Sequence, residues 1–140
     1  MATTFALQLV TPTGVVFEGD VEEVTATGPL GQFGVLAEHI NFITSLVPGA
    51  LEIKRSGEAP QIWIVSGGLA EVKDGAMTVL ASGAETPASI DRAAAEADEQ
   101  AADQKIAAMS FFDPGYPATL DALMLARARA AASGTSRAAH

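Results

Sequence analysis

At about Ser89 the character of the chain changes abruptly, and that change constrains the fold more than any other feature of the sequence. Upstream, short stretches rich in Val, Ile, Thr and Phe are broken by TPTG, GD, GPLG, PG, RSGEAP, GG and KDG; downstream, alanine dominates. β-branched and aromatic side chains suit a half-buried pleated surface, so the first part predicts a succession of strands and turns. Alanine is the strongest helix former, so the second part predicts helices. With 140 residues, 49% of them apolar, the chain can bury one modest domain with an appendage. The division predicted is a β domain over residues 1–88, a helical unit over 89–133 and a frayed tail over 134–140, where Gly134 stops the second helix.

Several upstream stretches show the period of two of a strand with one buried face. In FALQLV, Phe5, Leu7 and Leu9 point one way; in VEEVTATG, Val24 alternates with polar neighbours less cleanly. The segment QIWIVSGGLAEVKDGAMTVLAS holds three more strands, with Ile62, Ile64, Leu69, Val72, Met77, Val79 and Leu80 available to a core. Its KDG is a strong hairpin turn, because Asp and Gly tolerate positive φ. About eight to ten short strands in roughly 85 residues predict an antiparallel β-sandwich or a flattened barrel.

Downstream, SIDRAAAEADEQAADQKIAAM predicts a helix with Ser89 as N-cap and Asp91 near the positive end of its dipole. FFDPGYP breaks it, and Pro117 opens a second helix carrying Leu120, Leu123, Met124 and Ala128 at three- and four-residue steps. The product is an antiparallel two-helix hairpin. The first helix offers Ala93, Ala94, Ala97, Ala101 and Ala108, with only Ile90, Ile106 and Met109 as larger anchors. A buried methyl contributes about 0.8 kcal/mol, against roughly 1.5–3 kcal/mol for a buried Leu, Ile or Phe. Such a hairpin is expected to be stable as helix yet weakly docked, and therefore able to leave the β domain for a competing contact of similar strength.

Charge narrows the function. Eight Lys and Arg against 17 Asp and Glu give a net charge of −9, which opposes attraction to phosphate backbones, so nucleic acid is not an expected partner. Residues 1–88 carry 3 basic and 10 acidic groups, whereas residues 114–140 carry Arg127, Arg129 and Arg137 against Asp121 alone. The end of the second helix is thus a positive spot for an acidic partner loop, or a dipole complement and no more. The chain has no cysteine, in keeping with a reducing compartment. MATTFALQLV lacks the marks of a secretory signal and no apolar run spans a bilayer, so a soluble, cytoplasmic chain is expected unless a partner holds it at a membrane.

The usual catalytic constellations are missing. The two histidines are His39, accompanied by Glu38, and the terminal His140, which is a poor basis for a metal site. Ser66 precedes Gly67 and Gly68 without a nucleophile-elbow motif, and the glycines of GPLGQFGVLAEHINFITSLVPG, residues 28–49, lack the lysine of a phosphate loop. Glu22 and Glu23 are adjacent, so in a strand they face opposite ways. Neither a catalytic residue nor a metal ligand nor a cofactor is expected.

The order Gly28-x-x-Gly31-x-x-Gly34-x-x-x-x-His39, then Thr44-x-Leu46-x-Pro48-Gly49, then Ser66-Gly67-Gly68-x-x-Glu71-Val72, then Thr78-Val79-Leu80-Ala81 and a helical hairpin, resembles the epsilon subunit of rotary F-type ATP synthases, called delta in mitochondria. The likeness runs from about residue 5 to about residue 130. It implies a sandwich of about ten strands, a central-stalk position beside the gamma subunit and against the membrane ring of c subunits, and coupling of proton-driven rotation to ATP synthesis with no catalytic residue of its own. It also implies a hairpin that extends along gamma toward the alpha and beta subunits and restrains ATP hydrolysis, on the cytoplasmic face of a bacterial plasma membrane. Carried over residue by residue, it puts Leu30, Gly31, Gln32 and Phe33 against the c ring and Thr11, His39 and Thr44 near gamma. It leaves Arg127 and Arg129 for an inhibitory contact.

The sequence departs from the family in places. Gln32 stands where an acidic residue is frequent, Asn41 where proline is, and Ser82 where aspartate often closes the T-V-L-A strand. Of the I-D-x-x-R-A motif through which some bacterial members bind ATP, Ile90 and Asp91 are present together with an earlier Glu85, but the arginine position is Ala94. Arg92 is offset by two residues, about 200° around a helix. ATP binding is therefore expected to be weak or absent. Two other classes stay open on the residues alone: a stand-alone nucleotide-sensing module, and an enzyme on a small barrel with a concave pocket.

Overall fold

The computed structural model describes residues 3–138, with side chains to Ser133. Ten strands come first: β1 (Phe5–Thr11), β2 (Gly14–Val21), β3 (Glu23–Gly28), β4 (Gly31–Leu36), β5 (Phe42–Leu46), β6 (Gly49–Lys54), β7 (Gln61–Val65), β8 (Gly68–Lys73), β9 (Ala76–Ala81) and β10 (Ala84–Glu85). A turn of 3₁₀ helix at Pro87–Ser89 leads into α1 (Arg92–Ala107) and α2 (Tyr116–Ala138).

The strands form two five-stranded sheets, ordered β2-β1-β9-β8-β5 and β10-β7-β6-β3-β4. The architecture is the expected β-sandwich followed by two helices. One pairing is not antiparallel: β1 and β9, the first strand and the last long one, run parallel, with Leu7 beside Met77 and Leu9 beside Val79. Inward positions of both sheets interlock in one core, in which Leu7, Leu9, Val21, Val24, Leu51, Ile53, Met77 and Val79 are each at most 1% exposed. Phe5, Leu7 and Leu9 share the inner face as their spacing predicts, and β3 alternates cleanly, with Val24, Ala26 and Gly28 inside. Phe33 on β4 and Phe42 on β5 meet edge to face, ring centroids 5.8 Å apart, between the edge strands of the two sheets.

Leu69 and Leu80 are a correction. They pair across β8 and β9 on the outer face of the first sheet and are 37% and 49% exposed, because the period of two puts their neighbours Ala70 and Val79 inside. The KDG turn is as predicted: Asp74 (φ 50°) and Gly75 (φ 79°) form a two-residue hairpin loop whose paired positive φ values match the strand twist. Asn41 braces it, its Oδ1 accepting from the Asp74 N–H at 2.9 Å. That contact gives the asparagine a structural task at the start of β5.

The hairpin folds back onto the outer face of the second sheet. Ile64, Ile90, Ala95 and Ala132 form a small buried cluster there, edged by Ala50, Ile62, Leu125, Ala128 and Ala130. Three local expectations are revised. The N-cap of α1 is Asp91, whose Oδ1 accepts from Ala94 N–H at 3.0 Å; Ser89 closes the preceding turn, its hydroxyl donating to Thr86 O at 2.7 Å. The inner face of α1 is Ala95, Glu99, Ala102 and Ile106, continued past its end by Met109, not the alanines at 93, 94, 97, 101 and 108, all of which are exposed. In α2, Leu123 and Ala126 are buried with Thr119, whereas Leu120 is 37% exposed. The helical backbone passes Gly134, where a lone glycine costs about 1 kcal/mol relative to alanine without breaking a helix. The tail expected over 134–140 otherwise lies outside the residues whose side chains are described.

Candidate functional site: two ends of a sandwich and a docked hairpin

The strand registers place the predicted contact residues at two ends of the sandwich. At one end, β3 and β4 are joined by Pro29 and Leu30, with Gly28 paired to Gly31. Gly31 takes φ +118°, a region that L side chains rarely adopt, and its glycine lets the chain turn straight back into β4. Leu30 projects fully into solvent, Gly31 and Gln32 are exposed, and Phe33 is half-buried against Phe42. This tip offers an apolar knob and an amide without a charge.

The same end holds Gly68 opposite Ala81, and Thr11 opposite Gly14. A Cβ on Gly68 would lie 2.0 Å from Leu80 O, so no larger residue fits between β8 and β9 there. Thr11 is 9% exposed and its hydroxyl pairs with that of Thr13 at 2.8 Å, so it shapes the β1–β2 turn from within. Thr44, in the middle of β5, is half-buried with its hydroxyl donating to Ser45 O at 3.2 Å.

His39 lies at the opposite end, in the turn between β4 and β5. Glu38 takes φ 65°, His39 N–H donates to Leu36 O, and His39 Nδ1 is 2.8 Å from Ile40 O. The ring lies 5.0 Å from that of Phe42. His39 is thus a turn residue satisfied by its own loop, flanked by exposed Leu36, Ile40 and Ile43. Thr11, His39 and Thr44 are not gathered into one spot.

The residues proposed for a nucleotide are engaged elsewhere. Ile90 is 8% exposed in the hairpin cluster, Asp91 caps α1, and the Glu85 carboxylate accepts from Arg129 Nε at 2.5 Å. Arg129 Nη1 also lies 3.7 Å from Asp98 on α1, while Arg127 faces Glu99 and Asp103 at 3.5 and 3.7 Å. In this folded-back arrangement Arg127 and Arg129 are matched by four carboxylates. Sequence reasoning missed these pairs, since an arginine is linked to a glutamate 44 positions earlier only through the fold.

An open hollow at the His39 end is lined by Thr3, Glu22, Glu23, Leu36, Ala37, Glu38 and Lys54. Glu22 and Glu23, expected to face opposite ways, both border it, because Glu22 sits in the link between β2 and β3 and not inside a strand. The hollow's lining brings three carboxylates, one ammonium and the Thr3 hydroxyl. Among the described residues no group of His, Asp or Glu is arranged to hold a metal ion, and no helix is long and apolar enough to cross a membrane.

Comparison with known proteins bears on the whole arrangement. Residues 4–87 match the family described as ATP synthase, Delta/Epsilon chain, beta-sandwich domain. The ATP synthase epsilon chain of Desulfosudis oleivorans is 43% identical over 106 residues, covering 76% of this chain and 80% of its own length. That of Bacillus subtilis is 36% identical over 107 residues, covering 76% and 80%. Among solved structures, a chain of the Euglena gracilis mitochondrial ATP synthase OSCP/F1/c-ring assembly superimposes with a TM-score of 0.79 at 24% identity, over 95% of this chain and 83% of that one, which extends the shared fold to the hairpin. From the sandwich register, the ordered motifs and these relatives together, the chain belongs to the delta/epsilon chain family of ATP synthases.

Proposed function

We propose that this chain is a non-catalytic central-stalk subunit of a bacterial-type, proton-translocating ATP synthase. It transmits c-ring rotation through the gamma subunit, and its hairpin restrains ATP hydrolysis at the alpha and beta subunits. The observation that carries this reading is the contrast in how the two parts are held. The sandwich has a continuous core of large side chains, while the hairpin rests on it through a cluster of four buried residues, two of them alanine. A rigid body that grips a shaft and a light arm that changes position are what coupling and restraint require.

In this reading Leu30, Gly31 and Gln32 meet the polar loops of the ring, with Phe33 setting the loop from below. With Gln32 in place of a carboxylate, that contact is one of shape and neutral hydrogen bonds. His39 and Thr44 border the gamma-facing side, and buried Thr11 supports it from inside. When the hairpin extends, Arg129 leaves Glu85 behind on the sandwich, and Arg127 and Arg129 face an acidic partner loop. The subunit is held at the cytoplasmic face of the plasma membrane through the complex alone. Nucleotide sensing has less support, since Glu85, Ile90 and Asp91 already serve the fold.

Reconstitution tests the reading. Residues 1–88 alone should bind gamma and the c ring yet restrain hydrolysis less than the full chain; failure of the folded fragment to bind gamma contradicts the proposal. Replacing Arg127 and Arg129 together by alanine should relieve restraint, and unchanged ATPase rates would remove them from the mechanism. Titration calorimetry with MgATP should give no binding in the micromolar range.

A further inference from the structure

The Glu85–Arg129–Asp98 group lies at the edge of the hairpin's docking site and joins three elements: β10 of the sandwich, α2 and α1. Glu85 pairs in register with Ile64, the sandwich residue at the centre of the cluster the hairpin covers. The side chains of Arg129 and Glu85 are 24% and 32% exposed, whereas Arg127, Glu99 and Asp103, which bridge the two helices without touching the sandwich, are 55%, 37% and 62% exposed. Among the ion pairs described, Arg129–Glu85 links the hairpin to the sandwich, and it is the less solvated one.

From this geometry we propose that Glu85 and Arg129 form an electrostatic latch that sets how often the hairpin leaves the sandwich, with Asp98 as the carboxylate that keeps Arg129 paired once the hairpin is away. The proposal rests on the reading that the hairpin moves. An arginine guanidinium presents a planar fork that can serve two carboxylates at once. Undocking separates Arg129 from Glu85, because they belong to different bodies. It leaves Arg129 with Asp98, because both travel on the hairpin. The opened state therefore strands no bare cation, and opening costs one charge-assisted contact with the small apolar cluster beneath it, not the loss of a full buried triad. The two carboxylates have different effects on the equilibrium: Glu85 favours the docked state alone, while Asp98 acts on both states alike.

Two spin labels test this in the full chain, which has no cysteine to interfere. Exposed Glu58, in the loop before β7, and exposed Ala107, at the end of α1, are changed to cysteine, labelled, and their distance distribution is measured. Glu85→Gln and Arg129→Gln should each raise the undocked fraction roughly five- to tenfold, the effect of losing a partly desolvated charged hydrogen bond. The double variant should do no more than either single one, since the two changes remove one interaction. Asp98→Asn should leave the fraction within about twofold, and high salt should move the unmodified chain toward the Glu85→Gln distribution. Ile64→Ala, which weakens the apolar cluster, serves as the reference. If it undocks the hairpin while Glu85→Gln and Arg129→Gln do not, or if those two add, the latch is overturned. Asp98→Asn matching Glu85→Gln would overturn the division of roles. If no variant, Ile64→Ala included, yields a second distance, the movement itself fails and the latch with it.

Discussion

The sandwich and the hairpin of this chain are comparable in their content of secondary structure and unlike in what holds them. In the sandwich, sixteen buried residues drawn from both sheets form one continuous core, and most are Leu, Ile, Val, Phe or Met. Under the hairpin the buried set shrinks to four, and α1 itself buries only Ala95. Burial contributes in proportion to apolar area, so the first region is secured many times over and the second depends on a few contacts at its edge. Alanine thus separates two properties that usually rise together, helix formation and docking. It raises the first by propensity and starves the second by size.

Substitutions sharpen the contrast, beginning with the largest effect. Leu9→Ala, at a position with no exposed surface between β1 and β9, should cost about 2–5 kcal/mol and lower the urea midpoint of the sandwich. If it altered only the hairpin, the two regions would not be separate in energy. Ile64→Ala should cost about 2 kcal/mol or more, seen chiefly as exchange of α2 amides with β1 and β9 still protected. Asp91→Ala should cost about 1 kcal/mol and fray the first turn of α1, readable as loss of helical chemical shifts at Arg92–Ala94. Arg127→Ala should fall within about 1 kcal/mol of the unmodified chain, because its pairs with Glu99 and Asp103 are solvent-exposed. A larger loss there would mean that the interhelical pairs, not the latch and the apolar cluster, hold the hairpin together.

How far the sequence revealed this depended on how local each cause was. The strand period in FALQLV and the KDG turn are decided by neighbours along the chain, and both were legible. Hydrophobicity alone places Leu69 and Leu80 in the core, because it does not say which face of a strand turns inward; the register with Ala70 and Val79 does. In α1 nearly every residue on every side is alanine or charged, so hydrophobic spacing carries little directional signal and does not pick out the inner face. Ser89 and Asp91 are both good caps two positions apart, and the intervening 3₁₀ turn decides between them. The motifs from Gly28 to Ala81 identified the family, whereas the ion pairs of Arg129 and Arg127 depend on chain segments brought together only by the docked hairpin.

Native-state amide exchange in the isolated chain, followed from water into low denaturant, tests the separation of the two regions most directly. The amides of α1 and α2 should exchange together through an opening that exposes little surface, at least about tenfold faster than those of β1, β8 and β9, which wait for global unfolding. Equal protection of the helices and the central strands, with the same dependence on denaturant, would mean that the chain opens as one body and would contradict the account.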